Sequence, residues 1–154
     1  MLFRDTRGSE YHGTMNLSEA EARQRLRNAR VLRLATVDAE GTPHQVPATF
    51  ATRGDDTLVT AVDLKPKRHT NLRRLRNIRE NRRVCALVDE YSDDWTQLWW
   101  VRADGFARIL DGVDREAPLE SLAAKYPQYE RDRPDGPVIE ITVTRVTGWA
   151  SKRP

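Results

Sequence analysis

Between Thr60 and Val84 the chain reads TAVDLKPKRHTNLRRLRNIRENRRV, and this is where its side chains could do chemistry. From Lys65 to Arg83 there are nine Lys or Arg (Lys65, Lys67, Arg68, Arg73, Arg74, Arg76, Arg79, Arg82, Arg83) against one acid, Glu80. The whole 154-residue chain nets only +3, so the rest is net negative. A local excess of positive charge marks a site rather than general solubility. Part of it is the wet face of an amphipathic helix whose buried stripe is Leu72, Leu75 and Ile78. Lys65, Lys67 and Arg68 stand apart. They precede the helix, in the loop after TLVTAV and before Thr70 and Asn71, which are placed to cap it. There the backbone amides and the positive helix end already favour an anion, so two lysines and an arginine make a phosphate or carboxylate clamp.

Other chemistries have weaker support. His12, His44 and His69 lie far apart in sequence, with no cysteine pair or HExxH spacing near them, so no metal site is expected. Cys85 sits inside RVCALV as a small hydrophobe. The acids of DEYSDDW and RDRPDG fall in turn-like segments and are assigned no acid-base role. Nucleic acid would need the basic patch to act with Trp95, Trp99, Trp100 and Phe106 as a stacking platform. The acidic remainder and the alternation of the tryptophans with apolar residues argue against it, and no nucleic-acid partner is expected.

The elements that must position the clamp are short. Residues 1–15 lack periodicity and read as a flexible leader, with residues 16–154 forming one domain. Ser18 followed by Glu21 is a capping box, opening a helix whose apolar positions are Ala22, Leu26 and Ala29. VLRLATV, PHQVPATF and TLVTAV are separated by DAEGTP and RGDD, the punctuation of hairpins. RVCALV, QLWWVRADGFARIL and PVIEITVTRV add three strands, and REAPLESLAAKY a further helix. Ile139, Ile141 and Val143 alternate with Glu140, Thr142 and Thr144 in the last strand. Six strands and three helices without a repeated strand-helix-strand unit predict a mainly β fold, a small barrel with short peripheral helices. No run reaches the ~20 apolar residues of a membrane span, and the N-terminus has no signal h-region. With one cysteine, a cytoplasmic protein without a membrane partner is expected.

The order and spacing of RLATVDAEGTPHQVPATF, LVTAVDLKPKRHTNLRRLRNIRENRRVCALVDEY, DDWTQLWWVRADGFARIL and VTGWAS resemble the flavin and deazaflavin split β-barrel superfamily, the pyridoxamine 5′-phosphate oxidase-like fold. Within it they are most similar to the actinobacterial proteins that use the deazaflavin coenzyme F-420. The resemblance implies that Thr60, Ala61 and Val62 lay backbone along the cofactor ring. It implies that Lys65, Lys67 and Arg68 bind its phosphate with Asn71 helping, and that Pro47, Ala48 and Thr49 line the same cleft. Trp95 matches an aromatic loop position that reaches the cofactor from the partner subunit, so a homodimer with shared sites is implied. The Lys-Pro-Lys-Arg loop carries more charge than a monophosphate needs, which favours coenzyme F-420 over FMN, with haem further behind. Hydride transfer to an unsaturated small-molecule substrate would follow, with Tyr91 or water as proton source.

Overall fold

A computed structural model describes residues 16–63 and 72–151. The leader 1–15 and the loop 64–71 therefore lie outside the described residues. The first helix, α1 (Glu19–Asn28), starts as its capping box dictates. The Glu21 amide donates to the Ser18 hydroxyl at 3.2 Å, and the Glu21 carboxylate accepts from the Ser18 amide at 3.0 Å. These bonds hold the Glu21 carboxyl below its ordinary range. Ala22 and Leu26 are buried while the arginines stay outside, and the Arg25 guanidinium lies 4.9 Å from the Trp99 ring centre.

The strands are β1 (Leu32–Val37), β2 (Pro43–Ala48), β3 (Ala51–Arg53), β4 (Thr57–Ala61), β5 (Arg83–Glu90), β6 (Trp99–Leu110) and β7 (Val138–Ala150). Four helices accompany them: α1, α2 (Arg73–Glu80), α3 (Glu116–Lys125) and the short α4 (Gln128–Arg131). The DAEGTP hairpin is built as its sequence asks. The Asp38 carboxylate accepts from the Glu40 and Thr42 amides at 3.0 and 2.8 Å, which keeps it acidic, and Gly41 takes a φ of 87°.

There are seven strands among the described residues rather than the expected six, because a short further strand, Ala51–Arg53, follows the run 43–50. β2 pairs with β1, and after the joint Thr49–Phe50 the chain changes partner and pairs with β4 as β3. The sheet order is β2-β1-β5-β6-β7-β4-β3, every pair antiparallel. The two outermost strands are thus consecutive pieces of one chain, so the sheet closes through a covalent joint. This is a split β-barrel with peripheral helices, the predicted class. Long β6 and β7 curve around it with a register shift at Asp104/Gly105. A Cβ on Gly105 would stand 2.2 Å from the Thr142 carbonyl oxygen, so only glycine fits that crossing.

The barrel is filled by Leu32, Leu34, Phe50, Leu58, Ile139 and Ile141, with Leu75 and Ile78 of α2 packed into the same cluster. Ile139, Ile141 and Val143 are buried as their alternation predicts. Leu72 occupies the cap position of α2 with no side-chain bond, so the cap expected from Thr70 and Asn71 is not seen among the described residues. A smaller cluster of Val59, Leu119, Leu122, Tyr126 and Val138 seats α3 against β3 and β4. No helix among the described residues is long and apolar enough to cross a membrane.

Candidate cofactor site

The two predicted cleft walls lie on elements at the split of the barrel: 47–49 on and just after the outer strand β2, and 60–62 at the end of β4, past its pairing with β3. β3 and β4 end their pairing at Ala51 and Val59, and from there the chain of β3 turns away toward β1. Beyond that point Thr60, Ala61 and Val62 remain paired only with the β7 side. The Val62 amide donates to the Pro137 carbonyl at 2.9 Å and its carbonyl accepts from the Gly136 amide at 2.9 Å. Backbone groups alternate in direction along a strand, so Thr60 and Val62 face β7 while the Ala61 N–H and C=O face the split. This narrows the expectation: of the three residues implied to lie along a ring, Ala61 alone offers its backbone there. Thr60 and Val62 are buried, at 3% and 0% exposure, and Val62 belongs to the core.

The opposite wall is β2. Pro43 and Pro47 lack an N–H, which suits the unpaired side of an edge strand, and the same alternation puts Gln45 with them. That edge therefore presents carbonyls and one amide, and it continues through Thr49 to Ala51. Pro47 is exposed, while Ala48 and Thr49 are half-buried.

The joint between the walls is fixed by residues the sequence reading missed. The Tyr126 hydroxyl accepts from the Phe50 amide at 3.2 Å and lies within donating distance of the Phe50 and Arg30 carbonyls, at 2.9 and 2.6 Å. Burial pushes that hydroxyl's pKa up. The Tyr129 hydroxyl is 2.6 Å from the Thr49 hydroxyl, and the two tyrosine rings meet edge to face at 5.7 Å. The Lys125 ammonium sits 3.9 Å from the Phe50 ring centre. REAPLESLAAKY predicts a helix but gives no sign that its last residues reach back across some 76 positions to hold Phe50.

Lys65, Lys67, Arg68 and Asn71 fall in the loop outside the described residues. They follow Asp63 directly after the Ala61 edge, and α2 begins on the other side of that loop. The arginines of α2 and of the turn after it divide. Arg73 stands 3.8 Å from the Asp38 carboxylate, the Arg82 guanidinium donates to the Ala107 carbonyl at 3.2 Å, and burial lowers the pKa of Arg74. Arg76 and Arg79 are exposed. Asn77, between them, is fully buried and donates to the Thr36 hydroxyl at 3.0 Å.

Trp95 stands in the turn between β5 and β6 and is 57% exposed. Trp99 packs against the core edge under Arg25. Trp100 pairs across strands with Trp149, and both are half-buried on the sheet's outer face, beside Leu87 and Cys85. Burial pushes the Cys85 thiol up to about 11, so it is inert as a nucleophile. Two surface grooves of about 400 and 390 Å³ lie elsewhere. Neither is lined by Pro47, Ala48, Thr49, Thr60, Ala61 or Val62.

Known proteins agree with this architecture. A FAD-binding protein from Mesorhizobium loti superposes with a TM-score of 0.71 at 22% identity, covering 90% of this chain and 96% of that one. A conserved hypothetical protein from Mycobacterium tuberculosis gives 0.70 at 21%, covering 87% and 85%. HutZ, the haem storage protein of Vibrio cholerae, gives 0.63 at 16%, covering 82% and 89%. At these identities the likeness is one of fold. No curated protein matches the sequence. The family model described as pyridoxamine 5′-phosphate oxidase matches residues 18–150, nearly the whole described barrel, and the chain belongs to that family.

Proposed function

We propose that the protein is an oxidoreductase that binds coenzyme F-420 at the split of the barrel and transfers hydride between it and an unsaturated small-molecule substrate. One observation carries the reading: the Ala61 backbone is turned into the split, and the chain runs from it within seven residues through Lys65, Lys67 and Arg68. An unpaired N–H and C=O match the donor and acceptor edge of a flavin-like ring. The basic loop puts charge where a phosphate and further acidic groups would follow.

The cofactor supplies the hydride chemistry when bound. Ala61 orients the ring edge, Thr49 is held from behind by Tyr129, and Pro47 and Ala48 form an apolar wall that limits water. The proton a reduced substrate needs is left to water or to Tyr91, whose side chain is 70% exposed. A flavin reading, with FMN or FAD at the same split, is the alternative. The FAD-binding neighbour favours it; the surplus charge of the Lys-Pro-Lys-Arg loop favours the polyanionic deazaflavin.

We also propose a homodimer. The outer sheet face carries Trp100 and Trp149 as a cross-strand pair, with Asp89 opposite Trp100 and Arg102, Leu87 and Arg33 in the next row, two indoles among charged side chains that a second copy would cover. Trp95 is exposed enough to reach a neighbouring chain. Titration of the purified protein with F-420 and, separately, FMN and FAD, followed by fluorescence, tests the reading. Saturable binding of F-420 with weaker flavin binding supports it, and tight flavin binding without F-420 binding overturns the cofactor assignment. Light scattering at micromolar concentration tests the dimer. Mixing a Lys65/Lys67/Arg68 alanine variant with a Trp95→Ala variant should restore binding if sites are shared, and a monomer with full affinity would remove the shared-site proposal.

A further inference from the structure

We infer that the groove between the C-terminal ends of α1 and α3 is a second anion site, taking a doubly charged phosphoryl group. The groove, about 400 Å³, is lined by Arg27, Asn28, Arg30, Thr52, Ser121 and Lys125 together with two alanines. None of its lining residues is acidic, and among the described residues no carboxylate pairs with Arg27, Arg30 or Lys125.

Cations at helix C-termini have an ordinary explanation, because they offset the negative end of the dipole. Lys125 does this for α1, donating to the Ala29 and Arg27 carbonyls at 2.6 and 3.3 Å. Arg30 does it for α3, donating to the Lys125 carbonyl at 3.3 Å. The explanation is too small for the charge present. Two helix ends amount to about one negative charge, so three cations leave a surplus of about two. Burial, and after it the nearby Arg30 charge, push the Lys125 ammonium down to about 8.

The cluster is also held in place. Arg30 stacks on the Tyr126 ring at 4.6 Å, and Lys125 is fixed between the Phe50 ring and two carbonyls. Arg27, the Asn28 amide and the Thr52 hydroxyl stand at the rim as further donors. Fixed guanidinium and ammonium donors around a groove are what a phosphate dianion binds. The groove meets β3 at Ala51 and Thr52, and its binding does not depend on the cofactor reading above.

The test uses the full chain carrying Lys65→Ala, Lys67→Ala and Arg68→Ala, so that the basic loop cannot report. Inorganic phosphate is titrated at constant ionic strength and backbone amide shifts are followed by NMR. Saturable shifts centred on Arg27, Arg30, Thr52 and Lys125 are expected, with pyrophosphate tighter than phosphate. The Arg27 side chain is exposed and its bond to Lys125 is made by the backbone carbonyl, so Arg27→Gln keeps that bond and the fold and should weaken binding by about tenfold, the loss of one charge-assisted contact. Shifts that track ionic strength alone, or binding unchanged in Arg27→Gln, overturn the proposal. Should the loop variant not fold, the same residue-resolved titration of the native chain separates groove from loop and decides in the same way.

Discussion

The molecule gathers cations in two places by different means. In the segment 65–83 they are close together in sequence; at the α1–α3 groove Arg27 and Arg30 lie almost a hundred residues from Lys125 and the fold assembles the three. The first cluster announces itself in the sequence, and most of its described members spend their charge at the surface. The second gives no sequence signal, yet its cations are bonded into the structure. Charge density along a chain therefore says where an anion is met, while charge assembled across a fold also says what the fold rests on.

The largest contrast is in the basic loop. Replacing Lys65, Lys67 and Arg68 together with alanine should lower cofactor affinity by orders of magnitude, since charge-assisted contacts are worth roughly 1.5 to 3 kcal/mol each. Thermal stability should hardly move. Isothermal titration with F-420 and FMN beside a melting curve checks both. Arg79→Ala is the matched control and should change neither by more than about 0.5 kcal/mol. Arg82 cannot serve as that control, because its guanidinium is bonded to the Ala107 carbonyl. A triple variant that binds normally and melts early would reduce the loop to the helix's wet face.

The opposite result is expected beside the groove. Tyr126→Phe removes the hydroxyl that serves the Phe50 amide and the Phe50 and Arg30 carbonyls in a buried setting, and should cost about 1.5 to 3 kcal/mol in urea unfolding. Tyr129→Phe frees only the half-exposed Thr49 hydroxyl and should cost about 0.5 to 1.5 kcal/mol. Equal effects would mean that the two tyrosines brace the joint alike.

How much of this the sequence carried follows from range. The capping box at Ser18, the hairpin turns and the alternation of β7 are local, and each was legible because its partners lie within a few residues. The split was legible only in part. PHQVPATF reads as one strand ending at Phe50, and nothing in it says that the chain goes on as a further strand from Ala51; Ala48 is claimed by β1 and Ala51 by β4, whose partner residues lie 16 and 8 positions away. The same holds for the site. Ala61 was named with its two neighbours, but only the Pro137 and Gly136 bonds show that Thr60 and Val62 turn away from the split. Tyr126, Tyr129 and Lys125 were missed because their targets are in the Thr49–Phe50 joint and at the end of α1, where no spacing rule reaches. Trp149, in VTGWAS, was visible as a residue but not as the partner of Trp100.

The smallest effect expected is a pH dependence, and it separates the two clusters without any ligand. Lys125 has its pKa lowered from the usual 10.5 to about 8 by burial and by Arg30. A cation whose folded pKa is depressed sheds its proton in the folded state first. Below about pH 8 both states hold the proton, and the full cost of burying the charge is present. Between about 8 and 10.5 the unfolded chain binds more protons than the folded one, so stability should rise with pH across that window and level off above it. Lys125 is half-exposed, so solvent keeps the rise modest. Tyr126 ionises above its ordinary range because it is buried, so it does not mimic the effect. Lys125→Met removes the titrating group, and the difference in unfolding free energy between native chain and variant, measured at pH 7 and at pH 9.5, should shift in favour of the native chain at the higher pH. The Lys65/Lys67/Arg68 variant should show the native slope. A difference that does not change with pH would mean that the two carbonyls of α1 hold the Lys125 ammonium charged, and the groove would then be a helix cap with its counter-charge already supplied.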